Sequence, residues 1–390
     1  MSTTRPPEGA RTAARDGEGP PVPPDTSTSA RAALAQGLAQ AHAGDAAALT
    51  TLRDAHARMA EAGDARGRLL AASALVVTGQ LLGTFRGMPD WLAEVAVLKL
   101  ATSPVQTLDD ELLARAALLF GQLYVDLQDP DVEANAARLV ELVEHPGPLD
   151  VNLRLAAARM LVYYVEPREL RVLGQRINVA VQPHLADPAL TPHRHGHWLL
   201  RWRSCSGYAK DTGQEDAATE AARALAERHG LRDLQFELAF DEVGQSLNGG
   251  ELPRAERALA RAESLHDPAS LRDLMLMDVT RMRVALIKGQ VDDALFRASR
   301  ARQFAVQLQC PGPMMGAYIV NEANVRLLTN DSAGALHQME EALPLLPPGF
   351  AQEVGEMIAM IAAFEALERG ERGARAAMAA VWAGLRQRQF

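Results

Sequence analysis

The run Thr191-Pro-His-Arg-His-Gly-His-Trp-Leu-Leu-Arg-Trp-Arg-Ser-Cys205 is the most suggestive local cluster of the chain. Thr191 before Pro192 reads as an N-cap followed by proline at the first helical position. His193 and His197 then fall four apart on one helical face, a spacing that can hold a metal ion. Cys205 lies on a similar face but eight residues beyond His197, far along the axis at about 1.5 Å per residue. His195 points away from the other two, and His184 lies across Pro188. No third close ligand stands in the local sequence. The expectation is therefore no metal and no cofactor, with the run forming a polar first turn that leads into a Trp198/Trp202 packing stripe.

The same stretch places Arg194, Arg201 and Arg203 near Trp198 and Trp202. Arginine stacked on tryptophan can bind anionic or aromatic groups. It can equally form a packing seam whose arginines reach water. Both readings stay open at this level. Trp198, Arg201, Trp202 and Arg203 are carried forward as candidate binding residues.

These residues need helices to position them, and the composition favours helices. Of 390 residues, 48% are hydrophobic and only 5% aromatic, and five isoleucines stand against long runs of Ala, Leu and Arg. The net charge of −9 is opposite to that of a whole-protein nucleic-acid binder, so no direct nucleic-acid partner is expected. Two cysteines cannot make a disulfide framework, and they read as reduced thiols of a cytoplasmic protein. No secretory signal and no apolar run near 20 residues is present, so no membrane association is expected. Residues 1–30 hold six of the 22 prolines and read as a disordered tail, leaving 31–390 as the folded part.

The folded part is punctuated at a regular interval. A turn residue followed five residues later by Ala occurs at Gly213/Ala218, Gly250/Ala255, Gly289/Ala294 and Asn330/Ala335. Shifted versions stand at Gly370/Ala374 and Asp129/Ala134, and looser breaks at Gly44, Gly87 and Glu166. From Gly213 onward the spacings are 37, 39, 41 and 40. A period near 40 with one break per unit predicts stacked helical hairpins, the early small residue of the second helix allowing close approach. Capping patterns at Thr107/Asp110 and Ser270/Asp273 mark helix starts, and His266-Asp267-Pro268 and Leu346-Pro347-Pro348 mark stops.

Turn glycine, alanine five residues on and further small residues (Ala294, Ala298 and Ala301 in one unit; Ala255, Leu259 and Ala262 in another) resemble tetratricopeptide repeats. The longer period is similar to the helical sensor domains of maltose-activator-type bacterial regulators. The resemblance implies an all-α, right-handed superhelical solenoid of about nine antiparallel hairpins. This chain departs from those regulators in lacking G-x-x-x-x-G-K-[ST], and Ala379–Phe390 reads as the end of a repeat helix without a DNA-reading module.

In tetratricopeptide proteins the first helix of each hairpin lines a concave groove. The resemblance therefore places Arg203 and Lys210, Asn248, Arg283 and Asn324 at or near that face, as receivers of a peptide carboxylate or other anion. Phe240, Leu286, Leu327, Met360 and Phe364 project to comparable positions. The methionines of the last third read as core filling. There is no G-x-G-x-x-G, G-x-S-x-G, H-E-x-x-H or C-x-x-C, and Asp109-Asp110-Glu111 suits a helix start rather than a diphosphate. The expectation is a non-catalytic module binding a protein or peptide in the groove, in bacterial regulation or signalling, with a homodimer as one option. The alternatives are a small-molecule or peptide sensor acting through a partner, and an unrecognised all-α enzyme.

Overall fold

The computed structural model describes residues 26–96, 106–125, 129–168, 170–208 and 212–388, and these contain eighteen α-helices and no strand. The helices pair in chain order. The first hairpins are α1 (Thr26–Ala43) with α2 (Ala48–Glu61), α3 (Ala65–Leu82) with α4 (Met88–Ala96), and α5 (Leu108–Tyr124) with α6 (Val132–Val143). Next come α7 (Val151–Val165) with α8 (Arg171–Val181), α9 (Pro192–Tyr208) with α10 (Thr212–His229), and α11 (Arg232–Asn248) with α12 (Leu252–Leu265). The last are α13 (Leu271–Ile287) with α14 (Val291–Gln307), α15 (Gly312–Leu328) with α16 (Ser332–Ala342), and α17 (Pro348–Glu368) with α18 (Ala374–Arg388). The fold is an all-α array of nine helical hairpins among the described residues. No described helix is long and apolar enough to cross a membrane.

The turn residues work as their types require. Gly44, Gly87, Gly250, Gly289 and Gly370 all have positive φ, and Asn330, at φ 60°, is the one non-glycine among these turns. A side chain at Gly289 (φ 72°) would be strained, whereas Asn tolerates the left-handed region at Asn330. The small residues that follow are buried: Ala218, Ala255, Ala294, Ala335 and Ala374. In α14 the buried face is Ala294, Ala298, Ala301 and Ala305, a three- and four-residue stripe with no bulk to hold the partner helix away.

Two positions differ from the sequence reading. Gly213 lies inside α10, so the break precedes it. Ala134 is exposed on α6, and Ala136 takes the buried place two residues on. Helix α1 begins at Thr26, and residues 1–25 of the expected tail lie outside the described residues. Leu346-Pro347-Pro348 stops one helix and starts another, since Pro347 is the N-cap of α17.

The array curls until distant hairpins touch. Helix α1 meets α9, and α5 meets α15. Thr191 donates its hydroxyl to the His42 carbonyl, and the Gly87 N–H reaches Gln309 Oε1 at 3.2 Å. Arg272 packs on Gly83, where a Cβ would overlap its Cδ. One continuous core consequently runs from Ala30 to Cys205 and takes in Met275, Ala301, Ala305, Leu308 and Cys310. Ile319, Val320, Met339, Val354 and Ile361 form a smaller core of their own. Across the first eight hairpins the inner face is thus largely packed against itself.

Charge, as well as hydrophobic contact, joins the two helices of a hairpin. Thr107 and Asp110 form the capping box at the start of α5. One residue on, Glu111 accepts from Arg115 Nε at 2.7 Å and from Arg138 Nε and Nη2 at 2.9 Å each, joining α5 to α6. The Arg138 hydrogen bonds, against some burial and with help from Arg115, hold the Glu111 carboxyl at about 2 instead of 4.5. A depressed folded value stabilises the fold above the unfolded value and is lost as pH falls through the folded one. Glu111→Gln is therefore expected to lower the unfolding free energy by about 1–2 kcal/mol at pH 7, after allowance for solvent screening. The gap between variant and wild type in urea melts should narrow between pH 4.5 and 3, and a gap independent of pH would contradict this account.

Candidate functional site

Helix α9 packs on α1, α7, α10 and α11. Its start is fixed locally: the Thr191 hydroxyl accepts from the Arg194 N–H, and Asn152 Oδ1 accepts from the Thr191 N–H at 2.9 Å. From that start the four-residue step aims His193, His197 and Arg201 along one side. Across from them α11 carries Asp233, Glu237 and Asp241 at the same step. The two rows are 40 residues apart in sequence, one repeat period.

At the top of this seam three atoms converge. Asp233 Oδ2 lies 2.8 Å from His193 Nε2 and 3.1 Å from His197 Nε2, and the two Nε2 atoms are 3.1 Å apart. Both histidines are buried, while the Asp233 side chain is 42% exposed. Burial lowers the His197 imidazole from its ordinary value against the pull of Glu237. Partial burial would raise the Asp233 carboxyl, but the hydrogen bonds to both histidines and their charge hold it well below the usual range. Behind His197, its Nδ1 faces Glu237 Oε2 at 3.8 Å.

Lower in the seam, charges are paired inside the protein. Arg201 binds Glu166 and lies over the Tyr163 ring, 3.7 Å from its centroid. The Tyr163 hydroxyl accepts from Gln80 Nε2 at 2.8 Å and from Arg159 Nη2 at 3.3 Å. Arg203 binds Asp241, and Arg272 binds Glu237. Burial pushes the Asp241 carboxyl up to about 6 despite Arg203. Burial would raise Glu237 likewise, but Arg272, His197 and Arg159 bring it below its ordinary value. Burial also pushes the Cys205 thiol up, away from the thiolate a nucleophile needs.

The sequence-derived candidates divide. Trp198 and Trp202 are buried and stacked on each other, with centroids 6.2 Å apart and planes 14° apart, so neither ring offers a face to a ligand. Arg201 and Arg203 are taken by the carboxylates just named. Asn248 and Arg283 meet each other, Arg283 Nη2 donating to Asn248 Oδ1 at 2.9 Å. Asn324 is half-buried on α15, and Lys210 lies outside the described residues. The α9 residues form a packing and ionic seam in place of an open stacking surface. The local sequence lacks a third donor beside His193 and His197, and Asp233 of the next hairpin stands within reach of both. Sequence reading missed Asp233, Glu237 and Asp241. The signal was the repeat period read across hairpins, since 193, 197 and 201 plus 40 gives 233, 237 and 241.

No family model matches the chain, and no curated protein matches it. Among solved structures it is similar to a chain in the crystal structure of the APC/C hetero-tetramer Cut9–Hcn1, with 15% identity and a TM-score of 0.48. The alignment covers 85% of this chain and 59% of that one, so the chain spans about three fifths of the length of the protein it matches.

Proposed function

We propose that this chain is a non-catalytic helical-repeat scaffold of bacterial regulation or signalling that binds a protein segment through its last hairpin. One observation carries the reading. The hairpin of α17 and α18 exposes Phe364 (57%), Trp382 (49%) and Phe350 (36%). Elsewhere in the described chain Phe296 is the only comparably exposed aromatic. Large aromatics exposed together on one hairpin mark a contact surface for another polypeptide. The inner face, packed against itself, offers less than the concave groove expected from the resemblance.

The test is capture of partners from the native cell by the full chain and by a Phe364→Asp/Trp382→Asp variant with unchanged circular dichroism. Specific partners lost in the variant support the reading, and light scattering of the pure protein identifies a second copy as the partner if self-association is lost too. Full retention of capture by the folded variant overturns it.

A sensor role is favoured by a different feature. A cleft of about 280 Å³ between α4–α5 and the α14–α15 turn is lined by Met88, Tyr124, Cys310, Pro311, Pro313 and Leu345. It lies between early and late hairpins of the curled array, so an apolar small molecule seated there would couple them. A rise in melting temperature with such a molecule, abolished by Cys310→Phe, would favour this second reading over the first.

A further inference from the structure

The triangle at the top of the α9–α11 seam is hard to satisfy with hydrogen bonds alone. Three contacts of 2.8–3.1 Å among His193 Nε2, His197 Nε2 and Asp233 Oδ2 would need a proton on each edge, and the two imidazoles can supply only two. If both donate to the carboxylate, two N–H groups stand side by side with nothing between them. If one histidine donates to the other, an imidazole lone pair faces either the carboxylate oxygen or another lone pair. A dipositive ion resolves all three edges at once, because every lone pair then points at it.

We propose that His193, His197 and Asp233 bind one zinc ion that couples α9 to α11. The donor set suits it: two neutral imidazoles and a carboxylate are ordinary zinc ligands at about 2.0–2.1 Å. Ligands around a tetrahedral ion at that distance stand about 3.3 Å apart, so the triangle has to open by only a few tenths of an ångström. The two rings already sit edge to face, with centroids 4.4 Å apart.

The surroundings fit as well. Coordination through Nε2 places the proton on Nδ1, and Nδ1 of His197 faces the Glu237 carboxylate, the arrangement by which an outer carboxylate orients a metal-bound histidine. Glu237 is in turn held by Arg272. On one flank the α1–α2 turn comes so close that a Cβ at Gly44 would overlap His193 Nε2. The other flank opens to solvent at Asp233, so water can occupy the fourth position. The site lies away from α17 and α18, so its failure would leave the scaffold reading untouched.

The experiment uses the full chain without an affinity tag, stripped by a chelator, then titrated with Zn²⁺ by calorimetry and with Co²⁺ by visible absorption. The expected result is one equivalent of Zn²⁺, a Co²⁺ spectrum of a four-coordinate N/O site, and a higher melting temperature with Zn²⁺. Asp233→Asn, a change at the exposed ligand that keeps an acceptor oxygen, should weaken binding at least about 10-fold, and His193→Ala/His197→Ala should abolish it. No stoichiometric Zn²⁺ binding by the wild type overturns the proposal. Binding unchanged in Asp233→Asn, which assigns the ion to other histidines, overturns it equally, as does a preference for Ca²⁺ or Mg²⁺. If the double histidine variant fails to fold, the Asp233→Asn comparison decides.

Discussion

Replacing Arg154 by Met is expected to cost about 3–5 kcal/mol of stability, more than any surface change in the molecule. Arg154 is a buried arginine whose guanidinium ends the third hairpin. Nη1 donates to the carbonyls of Val143 at 2.9 Å and His145 at 2.8 Å, and Nη2 to that of Gly147 at 3.0 Å. Val143 is the last residue of α6, where carbonyls lack helical partners. The chain then crosses to α7 through His145-Pro146-Gly147, and one planar fork holds three oxygens of that crossing in place. Methionine fills similar volume but donates nothing, so three inward-facing carbonyls lose their partner. Lysine keeps the charge but not the fork, and Arg154→Lys should fall between. Urea melts followed by circular dichroism give the size of the effect. Hydrogen exchange gives its place, with protection lost first across the α6–α7 crossing and the end of α6. A loss under 1 kcal/mol, or exchange rising evenly over the chain, would contradict this role.

Arg154 also illustrates what the sequence could and could not convey. Turn and cap chemistry is local, so Thr107, Ser270 and Thr191 were legible as helix starts, and Gly250, Gly289 and Asn330 as turns. Buried alanines at a fixed distance from each turn were legible for the same reason, because the second helix of a hairpin must approach the first. Register failed at Ala134, where seven residues separate α5 from α6 and the small residue facing inward is Ala136. What joins one hairpin to the next was not legible by that route, since it depends on how far the array winds. The contact between α1 and α9, and the packing of Arg272 on Gly83, follow from winding, and they turn an expected open groove into a closed face. Charges expected to await a ligand thereby acquired partners: Glu166 for Arg201 and Asp241 for Arg203.

The net charge of −9 hides this internal pairing. Asp278 has no exposure at all, and its carboxylate meets Arg300 Nε at 3.0 Å and Arg297 Nη1 at 3.2 Å, both from α14. Glu322 is buried on α15 and pairs with Arg302 and Arg326. Such pairs add little net stability against an apolar replacement, but they admit only one alignment of neighbouring helices. In an array of similar hairpins, where Ala faces are nearly interchangeable, the Asp278 pairs fix how α13 lies on α14 within one hairpin, and the Arg302–Glu322 pair marks which hairpin belongs beside it. This is why arginine positions that read as a groove in sequence serve as register marks in the fold.

The sharpest test of the α9 seam is Trp198, where Trp198→Ala is expected to cost about 3–5 kcal/mol. The side chain is 1% exposed, stacks on Trp202 and belongs to the principal core beside residues of α7. Alanine would leave a cavity the size of an indole in a helix fixed at its start by Thr191 and along its side by Arg201, so the seam cannot collapse to fill it. The Trp198 Nε1–H is buried with no hydrogen-bond partner. Phenylalanine removes that unpartnered donor while keeping most of the ring, so Trp198→Phe should cost only about 1–2 kcal/mol. Were Trp198 a ligand-stacking residue on an open face, both variants would melt like the wild type and differ only in binding. A large Ala effect with a small Phe effect, read as unfolding free energies from urea melts, is the signature of a packed seam. Equal costs for the two would mean that the indole N–H has a partner and that the polar end of the ring, in addition to its bulk, holds α9 in place.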